Sequence, residues 1–301
     1  MVGSAPRRPH LGWLATLLLG AAASATVAPA AASASAGVRV TEPEPEPEPV
    51  SAPAVAPGTR GFEGVVALSN CSGSLVRMPG SRPTDPALVM TNGHCLEDGM
   101  PEPGEAWLDQ PSDRSFTLLD AAGGDTAVLR AVRLSYATMT GTDLALYELA
   151  SRYREIVSRH GIRALELADT RPEVGTPVEI ASGYWKRVYR CRIDGFVHEL
   201  REGDWTTEDP LRYTPGCDTV GGTSGAPVVD RGSGKVVGVN STGNDDGRAC
   251  ALDNPCEVDE SGAVTVRRGI NYGQRTHQTT GCVGPGSRID LDRPGCTLAR
   301  P

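Results

Sequence analysis

The sequence predicts an all-β fold, and three observations carry that reading. From Gly61 onward, short runs of β-branched and apolar residues such as "ALVMT", "DLALYEL", "PVEIAS" and "KVVGVNS" recur between clusters of Gly, Pro, Asn and Asp. This is the texture of strands joined by turns in a barrel or sandwich. The 36 glycines and 24 prolines supply many turns and short elements. Only "SRYREIVSRHG", Ser151 to Gly161, is patterned as a helix, with Ser151 as N-cap and Gly161 as the stop. With 39% hydrophobic residues, the chain can bury one large β domain or two small ones.

Taken in order, residues 1–36 read as an export signal. Arg7 and Arg8 form a positive start, "LGWLATLLLGAAASA" an apolar core, and "ASA" at Ala34 to Ala36 a small-residue cleavage site. The paired arginines leave both the general and the twin-arginine export routes open. Residues 37–60 alternate Glu with Pro and then turn Pro/Ala-rich, too poor in apolar groups to fold, and are expected to be an extended linker or pro-segment. No later run is long enough to span a bilayer. The expected product is secreted, extracellular and free of the membrane once the signal is removed.

Loss of residues 1–36 takes two arginines and no acids from the 29 basic and 37 acidic groups, leaving a net charge of −10. Such a chain is a poor ligand for nucleic acid. Cys71, Cys95, Cys191, Cys217, Cys250, Cys256, Cys282 and Cys296 follow the export signal in even number, so four disulfides are expected rather than a metal cluster. Local loop closure favours Cys191 with Cys217, Cys250 with Cys256 and Cys282 with Cys296. A bridge from Cys217 to Cys250 is the competing pattern. The acidic stretch Asn244 to Gly262 lacks the spacing of a calcium loop and is expected to be a solvated loop pinned by a disulfide. In "KRVYRCRIDGFV" a period of two puts Lys186, Val188 and Arg190 on one side of a strand and Arg187, Tyr189 and Cys191 on the other.

Three segments carry chemistry. Serine-mediated acyl transfer needs a nucleophile, a base, a carboxylate that orients the base, and N–H donors for the oxyanion. In "GGTSGAP" the glycines around Ser224 let the backbone turn tightly, so that the N–H groups of Gly222 and Ser224 can aim at one point. "TNGHC" places His94 at a strand end, free to project into a cleft. "TGTDLALYEL" places Asp143 at the start of a strand whose leucines can bury it.

The order His94, Asp143, Ser224, with "CSGSLV" before "TNGHC" and "DTVGGTSGAPVV" around the serine, resembles the chymotrypsin-like serine proteases. The resemblance spans Gly61 to Gly273 and is nearest the bacterial secreted branch that includes the glutamyl endopeptidases. It implies two antiparallel β-barrels, about 61–165 and 176–276, with the active site in the cleft between them and residues 277–301 as a Gly/Cys-containing tail. It further implies a Ser-His-Asp endopeptidase that acts on peptide or protein substrates as a monomer, without cofactor or metal. An inactive protease-like binding protein, or an esterase using the same site, is the alternative. Cys71 and Cys95 match the pair that braces the catalytic histidine. Ser241 and Gly243 match the segment whose backbone pairs with substrate.

Asp218, six residues before Ser224, stands where trypsin has the carboxylate at the base of its pocket. Asn240 stands where glutamyl endopeptidases have a histidine that holds the substrate glutamate. Thr223 replaces the aspartate to which the animal enzymes tie a newly formed N-terminus, so no switch of that kind is expected.

Overall fold

A computed structural model describes residues 61–301. The export signal and the Glu/Pro segment expected within residues 1–60 lie outside the described residues. The strands, in order, are β1 (Val65–Ala67), β2 (Ser72–Arg77), β3 (Pro86–Thr91), β4 (Ala106–Pro111), β5 (Ser115–Leu119), β6 (Asp125–Thr138), β7 (Leu144–Arg152) and β8 (Leu165–Glu166). There follow β9 (Pro177–Ser182), β10 (Arg187–Phe196), β11 (Glu199–Glu202), β12 (Trp205–Glu208), β13 (Leu211–Tyr213), β14 (Pro227–Asp230), β15 (Val236–Gly243), β16 (Cys256–Val258), β17 (Val264–Thr265) and β18 (Asn271–Arg275).

In the first half the order β1-β5-β6-β7-β3-β2 closes through pairing of β1 with β2, making a six-stranded antiparallel barrel. In the second half β10-β13-β18-β15-β14-β9 closes a second six-stranded barrel. This is the chymotrypsin-like architecture that the motif order implies. Closure removes exposed strand edges, which suits short strands rich in Val and Leu.

Strand β7 shows how its sequence serves two layers. Ala145, Tyr147 and Leu149 face the interior of the first barrel with Val89, Phe116 and Leu118, while Leu144 and Leu146 face outward. That outer layer is covered by the C-terminal segment: Cys282, Val283, Leu291 and Leu298 pack with Leu88, Met90, Leu144 and Leu146. Both faces of the strand are therefore buried, which is why its alternation is nearly all apolar.

The helix α1 (Tyr153–His160) starts later than its sequence pattern predicts. Ser151 still belongs to β7, because Arg152 pairs with Pro86, and the Arg152 N–H is capped by Glu155 Oε2 at 3.1 Å. Gly161 ends the helix at φ 70° as expected. The stretch expected to be a solvated loop is also more ordered than its charge suggests. Its Cys256–Val258 becomes β16, which with β17 (Val264–Thr265) just beyond the stretch extends the β11–β12 hairpin into a four-stranded sheet. Four disulfides join Cys71 to Cys95, Cys191 to Cys217, Cys250 to Cys256 and Cys282 to Cys296, so the local pattern prevails over a Cys217–Cys250 bridge.

Candidate active site

His94 is positioned by the end of β3. After Thr91 the chain passes through extended Asn92 into a 3₁₀ turn, Gly93–Cys95, and Cys95 is bonded to Cys71. Gly93 lies against the Thr138 carbonyl, where any Cβ would collide. Asn92 donates its side-chain amide to the Asp143 carbonyl at 2.8 Å, tying this turn to the start of β7.

Asp143 is 3% exposed and holds its charge through three donors. His94 Nδ1 lies 2.7 Å from Oδ2, the His94 backbone N–H donates to Oδ1 at 3.1 Å, and the Ser241 hydroxyl donates to Oδ2 at 2.8 Å. Burial alone would raise the Asp143 pKa, but His94 and these hydrogen bonds outweigh it and hold the carboxyl below its usual range. Burial likewise works to lower the His94 pKa. It is overcome by Asp143, with further help from Glu202 and Asp253, so the imidazole is raised above its ordinary value.

Ser224 comes from the turn before β14. Its carbonyl accepts from Ser72 N–H at 2.8 Å, a backbone bond between the two halves, and its hydroxyl donates to the Ser241 carbonyl at 3.0 Å. No hydrogen bond joins that hydroxyl to His94. Both side chains nevertheless line one cleft of about 320 Å³, together with Asp143, Asn240, Ser241 and Gly243.

The turn around Ser224 is held by its carbonyls. The Trp185 indole N–H donates to Gly221 O at 2.7 Å, and the Ser72 hydroxyl donates to Gly222 O at 2.9 Å. Thr223 N–H and its hydroxyl both donate to Val220 O, at 2.9 and 2.5 Å. In a trans peptide the N–H points opposite to the C=O. Anchoring Gly221 O on Trp185 therefore turns the Gly222 N–H the other way. Neither the Gly222 nor the Ser224 N–H has an acceptor among the described residues. Gly225 has φ +81°, and a Cβ there would strike the Ser72 carbonyl, so only glycine allows this close approach of the two barrels.

Strand β15 pairs with β18 out to Gly243, but its pairing with β14 stops at Val239, followed by Gly225 N–H to Asn240 O. The other edge of Ser241 to Gly243 thus borders the cleft without a partner strand.

One expected site residue is misplaced. Asp218 is exposed and does not line the cleft, whereas Thr219 and Val220 do. Cys217 is buried by its bond to Cys191, and the next residue turns outward to solvent. The sequence reading also missed the carbonyl anchors Ser72 and Trp185 and the cleft acids Glu202 and Asp253. Nothing local marks them, since each acts through a segment more than 30 residues away. Cys71, His94 and Cys95 lie close enough to hold a metal, but both sulfurs are spent in the disulfide.

A family model described as a trypsin-like peptidase domain matches residues 71–239. No curated protein matches the chain. Among solved structures, the Rv3671c protease of M. tuberculosis in its inactive form is 15% identical, with TM-score 0.44, covering 73% of this chain and 87% of that one. The MamO protease domain from Magnetospirillum magneticum is 14% identical, with TM-score 0.46 and coverage of 75% and 98%. A Glu endopeptidase in complex with MPD is 16% identical, with TM-score 0.40 and coverage of 73% and 86%.

Proposed function

The chain belongs to the trypsin-like peptidase family, and on that premise we propose that it is a secreted serine endopeptidase working through Ser224, His94 and Asp143. The observation that carries this reading is the convergence on one cleft of Ser224 and an Asp143–His94 pair whose carboxylate takes two hydrogen bonds from His94 and one from Ser241. In the proposed reaction Ser224 attacks the peptide carbonyl and its proton passes to His94 Nε2. Asp143 stabilises the imidazolium, and the N–H groups of Gly222 and Ser224 hold the oxyanion. The proton then goes to the leaving amine, and water repeats the sequence on the acyl-enzyme.

The hydrogen bond from Ser224 to the Ser241 carbonyl fits this scheme. A substrate strand added along Ser241 to Gly243 brings its own N–H to that carbonyl. The displaced hydroxyl is then free to rotate about χ1 toward the imidazole. Residues 61–276 are the proposed catalytic domain and residues 1–36 the export signal.

The test is labelling with a fluorophosphonate together with hydrolysis of a peptide library. Wild type is expected to be labelled at Ser224 and to cleave peptides. Ser224→Ala is expected to lose labelling and turnover by on the order of 10⁶-fold while its melting temperature is kept. Unlabelled, inactive but folded wild type would instead mark a binding protein.

A further inference from the structure

The cleft beside Ser224 holds three carboxylates besides Asp143. Glu202 ends β11, while Asp245 and Asp253 belong to the segment around the Cys250–Cys256 bridge. No lysine or arginine lines the cleft. Among the described residues none of the three is in an ion pair, whereas their neighbours Glu199, Asp246 and Glu257 each meet an arginine. The Asp253 N–H donates to Glu202 Oε1 at 2.7 Å, which draws the disulfide segment onto the hairpin. Burial raises the Glu202 pKa, and burial with the charges of Asp253 and Asp246 raises that of Asp245. Of the three, Glu202 is half-buried while Asp245 and Asp253 are exposed at the mouth, and a half-buried carboxylate without a counter-charge is costly unless a ligand supplies one.

A separate observation points the same way. Asn240 is 2% exposed and lines the same cleft. Its Nδ2 donates to Thr223 Oγ1 at 3.1 Å, and because the Thr223 hydroxyl proton is already given to Val220 O, that oxygen can only accept. The amide orientation is thereby set, and Asn240 Oδ1 is left buried without a donor. The cleft therefore presents acceptors and negative charge and lacks their complement. Glu202 also lies beside the Thr242 hydroxyl, on the strand segment along which the residues preceding a scissile bond would lie.

We propose that Glu202, Asp253 and Asp245, with Asn240 Oδ1, form a subsite for a lysine or arginine side chain on the acyl side of the scissile bond. The proposal rests on the peptidase reading above. Its charge comes from the hairpin and the disulfide segment, not from Asp218, which stands outside the cleft.

Cleavage-site profiling with wild type on a peptide library tests it. Lys or Arg is expected to be enriched at one of the four positions before the bond. The ratio of kcat/KM for a lysine peptide to that for its norleucine counterpart is expected to fall about tenfold in Glu202→Gln with Asp253→Asn, rates being expressed per fluorophosphonate-titrated site. Asp218→Asn is expected to leave that ratio as it is. If the paired variant does not fold, the wild-type ratio still decides, since it is expected to fall as ionic strength rises. Cleavage without basic enrichment, or a ratio indifferent to both charge removal and salt, overturns the subsite and leaves the peptidase standing. A wild type that cleaves nothing removes the peptidase reading itself.

Discussion

Trp185 shows how one side chain can orient an amide it does not touch. It is 53% exposed, so little stability depends on it, yet its indole N–H fixes the Gly221 carbonyl and through it the direction of the Gly222 N–H. Trp185→Phe keeps the ring and removes the donor. Its kcat is expected to fall about tenfold with KM little changed, a fraction of the roughly 10²–10³ that follows loss of a whole oxyanion donor. A raised KM with kcat unchanged would show that the indole serves substrate binding instead. His94 offers a second test at this scale. In the proposed mechanism its neutral form is the base, and Asp143, Glu202 and Asp253 raise its pKa. The acid limb of kcat/KM is therefore expected to have its midpoint above about 6.5, and Glu202→Gln, which removes a negative charge, to move it to lower pH. A limb that stays in place in that variant would discount the influence of Glu202.

At the scale of elements, pattern was legible where burial is one-sided and misleading where it is not. The strands that carry His94 and Asp143 were visible as apolar runs, and the stop of α1 at Gly161 was visible because only a left-handed residue fits there. Its start was not, since pairing of Arg152 with Pro86 keeps Ser151 in the strand, a long-range contact that no cap signal encodes. The same limit explains Asp218. Counting six residues back from Ser224 gives its place in the chain, but Cys217 packs into the core of the second barrel and its neighbour Asp218 faces solvent. The charged stretch after Asn244 read as a solvated loop pinned by a disulfide because the partner that recruits β16, the hairpin strand β11, lies 55 residues earlier in sequence.

For the whole molecule, the C-terminal tail proves to be part of the fold that holds the site. Its apolar residues cover the outer faces of β3 and β7, Tyr136 donates its hydroxyl to Ala299 O at 3.0 Å, and Ser287 donates to Pro86 O at 2.8 Å. Deletion of residues 277–301 would expose Leu88, Met90, Leu144 and Leu146. The expected cost is about 5 kcal/mol, a fall of roughly 10–20 °C in Tm, measured by calorimetry on the oxidised protein. A fall below about 5 °C would mean that the tail is dispensable to the barrel.

The sequence alone determined the all-β class, the disulfide-forming set of cysteines and the identity of the candidate nucleophile, base and carboxylate. Each is written in local residue types or in the order of short motifs. Tertiary structure alone decided that Asp218 leaves the cleft and Glu202 enters it, that Trp185 and Ser72 hold the carbonyls of the turn before Ser224, and that the tail covers the outer face of the first barrel. Those outcomes depend on which distant surfaces meet when two barrels close and pack. Contacts between segments far apart in the chain leave no periodicity or spacing from which they can be read.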